Sequence, residues 1–185
     1  MMTLEPSLVR WYSPDMEYIY HYDSPLGGIT IACDGAAITR LYFEGHNSNE
    51  TSAHENRVTL DRCEGRLLPV IRQTRLWLDT YFRGSDPGFT PPLKPSGTAF
   101  RKEVWELLLT IPYGTTVTYG ALAIDLAASR GGRMSAQAVG GAVAANPIPL
   151  LIPCHRVIGS DGSLTGYSQG LDKKAWLLEF EVARF

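Results

Sequence analysis

The sequence predicts an α+β protein in two parts: a small N-terminal antiparallel sheet with a helix, then a helical C-terminal domain. Three observations carry this reading. Residues 18–43 form short strand-like runs separated by glycine-containing turns. Residues 98–145 instead repeat apolar positions at helical spacing. Between them, residues 84–97 hold Pro87, Pro91, Pro92 and Pro95 with Gly84, Gly88 and Gly97, a composition that suits a stiff linker. The domains are therefore read as 1–95, with the linker beginning near residue 84, and 96–185.

In the first part, Tyr18, Tyr20 and Tyr22 alternate with Ile19 and His21 along one strand. The turn Ser24-Pro25-Leu26-Gly27-Gly28 leads into Ile29 to Cys33, and Asp34-Gly35 into Ile38 to Phe43, an antiparallel meander. Residues 44–60 are polar and read as a loop. Leu67, Ile71, Thr74, Leu78 and Phe82 then recur at helical spacing over about 65–83. Gly84 is the stop, and Pro69 fits only in the first turn.

In the second part, Thr98 can cap a helix whose apolar face is Phe100, Val104, Leu107, Leu108 and Ile111. Pro112-Tyr113-Gly114 ends it. A second helix fits 118–129 and a third about 135–145, joined by Arg130-Gly131-Gly132-Arg133. This is a helix-turn-helix pattern. The third helix is built from Ala, Gly and Val apart from Ser135 and Gln137, and carries no charge. A helix that reads base edges in a major groove normally carries Arg, Asn, Gln or Lys, and this one offers only Gln137. One with Ala138, Gly140 and Gly141 suits burial against other helices, or close approach to a narrow surface such as a minor groove. Each glycine costs about 1 kcal/mol of helix stability against alanine.

Composition bounds the function. The chain has 17 Lys+Arg, 19 Asp+Glu and a net charge of -2. Residues 1–95 carry 9 basic and 12 acidic residues, and residues 96–185 carry 8 and 7, so the second part is the better candidate for an anionic partner. No apolar run reaches the 18 or so residues of a membrane span, and Met1 to Tyr22 has no signal-peptide core. A cytoplasmic protein is expected. Three cysteines, Cys33, Cys63 and Cys154, cannot all pair, which fits a reducing compartment. Cys33, Cys63, His21, His46 and His54 show no ligand-pair spacing, so no metal and no cofactor are expected.

The chemistry concentrates at Pro153-Cys154-His155-Arg156-Val157, after the apolar run Ile148 to Ile152. That run reads as a buried extended stretch ending at the cysteine. A thiol beside cations ionises more readily than a free one. Adjacent side chains do not face each other in regular structure, so His155 must act on Cys154 through a bend or a water. A third group should orient the histidine, and Asp161, Asp172, Glu179 and Glu181 are all candidates by spacing.

These residues carry a resemblance. Gly97-Thr98-Ala99-Phe100, Ile111-Pro112-Tyr113-Gly114, Thr118-Tyr119-Gly120, Ala138-Val139-Gly140, Asn146-Pro147, Pro153 to Gly159, Gly166-Tyr167 and Trp176-Leu177-Leu178 together resemble the O6-alkylguanine-DNA alkyltransferases. The match runs over about 98–181, while residues 1–95 match loosely. The resemblance implies a ribonuclease H-like N-terminal domain and a monomer. Its partner would be double-stranded DNA containing O6-alkylguanine, bound through the minor groove. The damaged guanine would be flipped out and its alkyl group moved irreversibly to Cys154, once per molecule. O4-methylthymine is a second expected substrate.

The same resemblance implies residue roles. His155 deprotonates Cys154 through a water, Glu181 orients His155, and Asn146 holds the cysteine loop. Tyr119 presses on the flanking phosphate and bonds the base. Lys174 and the Ser168 backbone steady the leaving oxygen. The carbonyls of Cys154 and Val157 recognise the guanine amine, and Tyr167 walls the pocket. Thr98, Tyr119, Ser135, Gln137, Ala138, Gly140 and Gly141 meet the DNA. One position departs from the family: Gln137 stands where an arginine is usual, shorter and uncharged. Three other readings compete. A non-catalytic sensor of alkylated DNA would lack the cysteine. A Cys-His hydrolase would need an oxyanion hole and would turn over. A transcription factor would need a charged recognition helix.

Overall fold

The computed structural model describes residue 13 and residues 16–45, 56–60 and 68–183. It divides into two compact units, Met1–Lys94 and Pro95–Phe185.

In the first unit, β1 (Glu17–Ser24), β2 (Gly27–Cys33) and β3 (Ile38–Phe43) form the expected meander. Ser24 closes the first turn by donating from Oγ to the Gly27 carbonyl, with Gly27 at φ 100°. The sheet is not purely antiparallel. Residues 57–59, inside the segment read as a loop, form β4 (Arg57–Thr59), which runs parallel to β1. The sheet is therefore mixed, in the order β3-β2-β1-β4. Glu17 explains the polar sequence of that edge: its carboxylate takes Arg57 at 2.9 Å from β4 and Arg40 at 2.5 Å from β3. These links lie beyond what apolar periodicity reveals.

The helix α1 spans Pro69–Phe82, with Pro69 in its first turn where no backbone donor is missed. It buries Val70, Ile71, Thr74, Trp77, Leu78 and Tyr81. The proline-rich stretch is not all free connection. Ile38 N donates to Pro92 O at 2.8 Å and Lys94 N to Ile38 O at 2.7 Å, so residues 92–94 lie along the outer edge of β3. Cys63, His46 and His54, and the start of the predicted helix at 65–67, lie outside the described residues.

The second unit holds α2 (Ala99–Leu108), α3 (Tyr119–Arg130), α4 (Ala136–Ala144) and α5 (Leu171–Val182). Three of the four start on a side-chain cap: Thr98, Thr118 and Ser135 each accept a backbone N–H from the first turn. Trp105 ties α2 to α4 by donating from its indole to Ala142 O at 2.9 Å. The α4 helix buries Val139, Ala142 and Val143 and leaves Gln137, Ala138 and Gly141 exposed. Two short strands, β5 (Val117–Thr118) and β6 (Val157–Ile158), pair in parallel. They set the register of the functional residues: β5 runs straight into Tyr119, and β6 leaves straight from the turn that carries Cys154.

Candidate active site

The apolar run before the cysteine is buried as expected but not extended. Ile152 N bonds back to Ile148 O at 3.0 Å, and Leu150, fully buried, takes φ 75°. The left-handed region is costly for a branched side chain, so the surrounding contacts must hold the turn. Asn146 is one of them. Its Nδ2 donates to Ile152 O at 2.9 Å and to Cys154 Sγ at 3.0 Å, while its Oδ1 accepts from Ile148 N at 3.0 Å. One buried carboxamide thus pins both arms of the turn and the thiol.

Cys154, His155 and Arg156 form a 3₁₀ turn. This bend lets neighbouring side chains serve one site. Cys154 is 2% exposed. Burial pushes its thiol up to about 11, against the opposing pull of the Asn146 donor, the Lys174 charge and nearby backbone N–H groups. The resting group is a thiol at neutral pH.

Of the four acids open by spacing, the fold brings Glu181 to His155: Nε2 and Oε1 stand 2.8 Å apart, both residues buried. Asp161 is exposed in a turn bonded to Ser163, and Asp172 and Glu179 are exposed on α5. Glu181 also accepts from Arg156 Nε at 2.9 Å, from Arg156 Nη2 at 3.0 Å and from Gly114 N at 3.0 Å. Burial alone would raise its pKa, but His155 and Arg156 overcome that and hold it down at about 2. Because Glu181 stays a carboxylate, Nε2 of neutral His155 carries the proton. Nδ1 is then a lone pair, buried and without a hydrogen-bond partner among the described residues. Burial pulls the His155 pKa down against the opposing Glu181 carboxylate.

Lys174 lies across the site, fully buried, donating to Val157 O at 2.5 Å and Thr165 O at 2.6 Å. Burial lowers its pKa to about 8, so it is a cation at neutral pH with one further proton to give. Its Nζ stands 5.8 Å over the Tyr119 ring. Tyr119 is half-buried at the start of α3 and donates to Thr165 O at 2.8 Å. Gly166, at φ 69°, makes room for it, since a Cβ there would stand 2.7 Å from the Tyr119 hydroxyl. Tyr167 packs edge-on to His155, ring centroids 6.4 Å apart, with its hydroxyl buried and unpartnered among the described residues.

The structure thus brings Asn146, Cys154, His155, Val157, Tyr167, Lys174 and Glu181 together, with Tyr119 at the rim. Ser168 is half-buried in the turn before α5. Thr98, Ser135, Gln137, Ala138 and Gly141 are exposed, and Gly140 is half-buried against Tyr119. Sequence reasoning missed Arg156 as part of the network, along with Gly114 and Thr165. The available signal was a guanidinium inside an apolar run, which must find an acceptor once buried.

The chain is similar to known proteins over most of its length. Residues 99–183 match the 6-O-methylguanine DNA methyltransferase, DNA binding domain, and residues 18–95 its ribonuclease-like domain. A methylated-DNA–protein-cysteine methyltransferase of Haemophilus influenzae is 39% identical over 165 residues, covering 89% of this chain and 86% of the relative. One of Methanosarcina barkeri is 41% identical over 86% of this chain and 93% of its own. The crystal structure of Mycobacterium tuberculosis O6-methylguanine methyltransferase superposes with a TM-score of 0.75 at 37% identity, covering 92% of this chain and 95% of that one. The Mycobacterium tuberculosis OGT in complex with DNA gives 0.74 at 37% identity, over 90% and 94%.

Proposed function

This chain belongs to the 6-O-methylguanine DNA methyltransferase family, and we propose that it repairs DNA by direct reversal, moving an alkyl group from O6 of guanine to Cys154. The observation that carries this reading is the buried thiol pinned by Asn146 beside a His155–Glu181 pair.

The chemistry follows from the protonation states. The Cys154 thiol must lose its proton as it attacks. His155 Nδ1, the unpartnered lone pair, takes it through a bridging water, and Glu181 steadies the imidazolium that forms. The sulfur–carbon bond forms as the carbon–O6 bond breaks, and that electron pair goes to the guanine. The remaining proton of Lys174, with the Ser168 backbone, steadies the developing negative charge. The thioether does not break down, so each molecule acts once.

For DNA, α3 and α4 act as a helix-turn-helix on the minor groove of double-stranded DNA containing O6-alkylguanine. The exposed small residues Ala138 and Gly141, with Gly140 behind them, permit close approach. The guanine is flipped, with Gln137 filling the gap it leaves. The Cys154 and Val157 carbonyls and Tyr167 receive the base, and Tyr119 presses on the flanking phosphate. The capping hydroxyls of Thr98 and Ser135 keep their protons to donate to phosphates. The protein acts as a monomer in the cytoplasm, on O4-methylthymine also. Among the described residues no helix is long and apolar enough to cross a membrane.

The test is intact-protein mass after equimolar mixing with a duplex carrying one O6-methylguanine. The protein should gain one methyl group, and Cys154→Ser should gain none. An unchanged mass with the DNA still bound would make this a sensor rather than a repair enzyme.

A further inference from the structure

We propose that Arg156 is a positioning residue for alkyl transfer, gripping Glu181 so that His155 meets a carboxylate already neutralised by a guanidinium. The inference rests on the reading of His155 as the base for Cys154.

The geometry is specific. Arg156 lays Nε and Nη2 along both oxygens of Glu181, at 2.9 and 3.0 Å, a paired grip that a lysine cannot copy. It is fixed from two further directions. Nη1 donates to Ile111 O at 2.7 Å, and the guanidinium lies 5.5 Å over the Tyr113 ring. The Gly114 N–H completes the carboxylate's surroundings from the same turn after α2. Glu181 therefore has little freedom to turn, and Oε1 stays on His155 Nε2.

The charge arithmetic gives Arg156 a second consequence. The groups facing His155 are Cys154 and Arg156 on its own turn, Glu181 and Lys174 on α5, and Tyr167 from the segment before α5. Glu181 favours a proton on His155, while Arg156 and Lys174 oppose it. Burial favours neutral His155, and with Arg156 present the Glu181–Arg156 pair carries no net charge to oppose it, so Nδ1 is free to accept. Without Arg156 an uncompensated buried carboxylate would face the ring. The His155–Glu181 pair would then hold an extra proton to higher pH, whichever of the two carries it. A histidine already protonated cannot take the thiol proton.

The experiment measures the rate at Cys154 against pH, read by peptide mass. Two probes are used: methyl transfer from a duplex with one O6-methylguanine, and carboxamidomethylation by iodoacetamide. The inference predicts that Arg156→Gln moves the midpoint of the acid limb upward by about one pH unit with either probe. If Arg156 only packs, the variant melts earlier and the midpoint stays in place, which overturns the inference. Should Arg156→Gln fail to fold, Glu181→Gln and the double variant R156Q/E181Q read the same quantity with no buried unpaired carboxylate. The double variant should then have the higher midpoint, and equal midpoints overturn the inference. A shift seen with iodoacetamide in a protein that transfers no methyl group supports the role of Arg156 while removing the repair reading. Methyl transfer with no shift does the reverse.

Discussion

Cys33 and Cys154 lie in different units, each 2% exposed or less, and burial pushes each thiol up to about 11. Their surroundings differ. Near Cys33, on β2, the charged groups are Asp34 and Glu17, which further disfavour a thiolate. Near Cys154 stand an amide donor on the sulfur, the Lys174 cation and a histidine with an open lone pair. Burial alone therefore does not separate a structural cysteine from a nucleophile. What separates them is a place for the proton to go, and a carboxamide and a cation beside the sulfur where Cys33 has carboxylates. Cys154 is a thiol kept protonated at rest, and in the proposed mechanism it is deprotonated at the moment of attack.

Weakening the proton acceptor makes Cys154 resemble Cys33. Glu181→Gln removes the charge proposed to steady the imidazolium, and should slow methyl transfer by about 100-fold or more. Stopped reaction of the variant with an O6-methylguanine duplex checks this. A variant with unchanged rate and pH profile would remove Glu181 from the mechanism.

The same carboxylate gives a stability signature. Its pKa is held at about 2 in the folded protein against an ordinary 4.5. The stabilisation is thus complete above about pH 4.5 and is lost as pH falls toward 2, a loss of about 3 kcal/mol. His155 acts in the same sense, since its folded pKa lies below the ordinary 6.5 and the unfolded chain binds its proton first. Urea unfolding between pH 5 and 2.5 should show this slope, and Glu181→Gln should flatten it.

A substitution on α4 leaves the thiol alone. Gln137 is exposed on α4, away from the buried network. On the proposed flipping mechanism, Gln137→Arg should raise the repair rate a few-fold, about 1 kcal/mol of barrier, by filling the flipped base's place with a stacking guanidinium. The iodoacetamide rate at Cys154 should not move. An unchanged repair rate would show that flipping does not depend on this side chain.

Much of this was legible in the sequence, for identifiable reasons. The strands β1 to β3 and the helices α1 to α4 announce themselves because each buries one face and starts or ends on a residue that suits it, such as Pro69, Thr98 or Ser135. The parallel strand β4 was hidden because its pairing rests on Arg57 and Glu17 rather than on an apolar pattern. The run before Cys154 read as extended because apolar content does not reveal a turn at Leu150. Local spacing left four acids open for His155. Only the fold, by returning α5 to the cysteine turn, brings Glu181 there, and Arg156 joins for the same reason. Local spacing reports elements, whereas long-range ionic pairing is set by topology.

Cys154, and not the equally buried Cys33, is proposed to receive the alkyl group. The direct measurement is peptide mapping after incubation with a tenfold excess of duplex carrying one O6-methylguanine. The account predicts one methyl group per protein, on the peptide containing Cys154, with Cys33 unmodified. A methyl group on Cys33, or more than one per molecule, would contradict it.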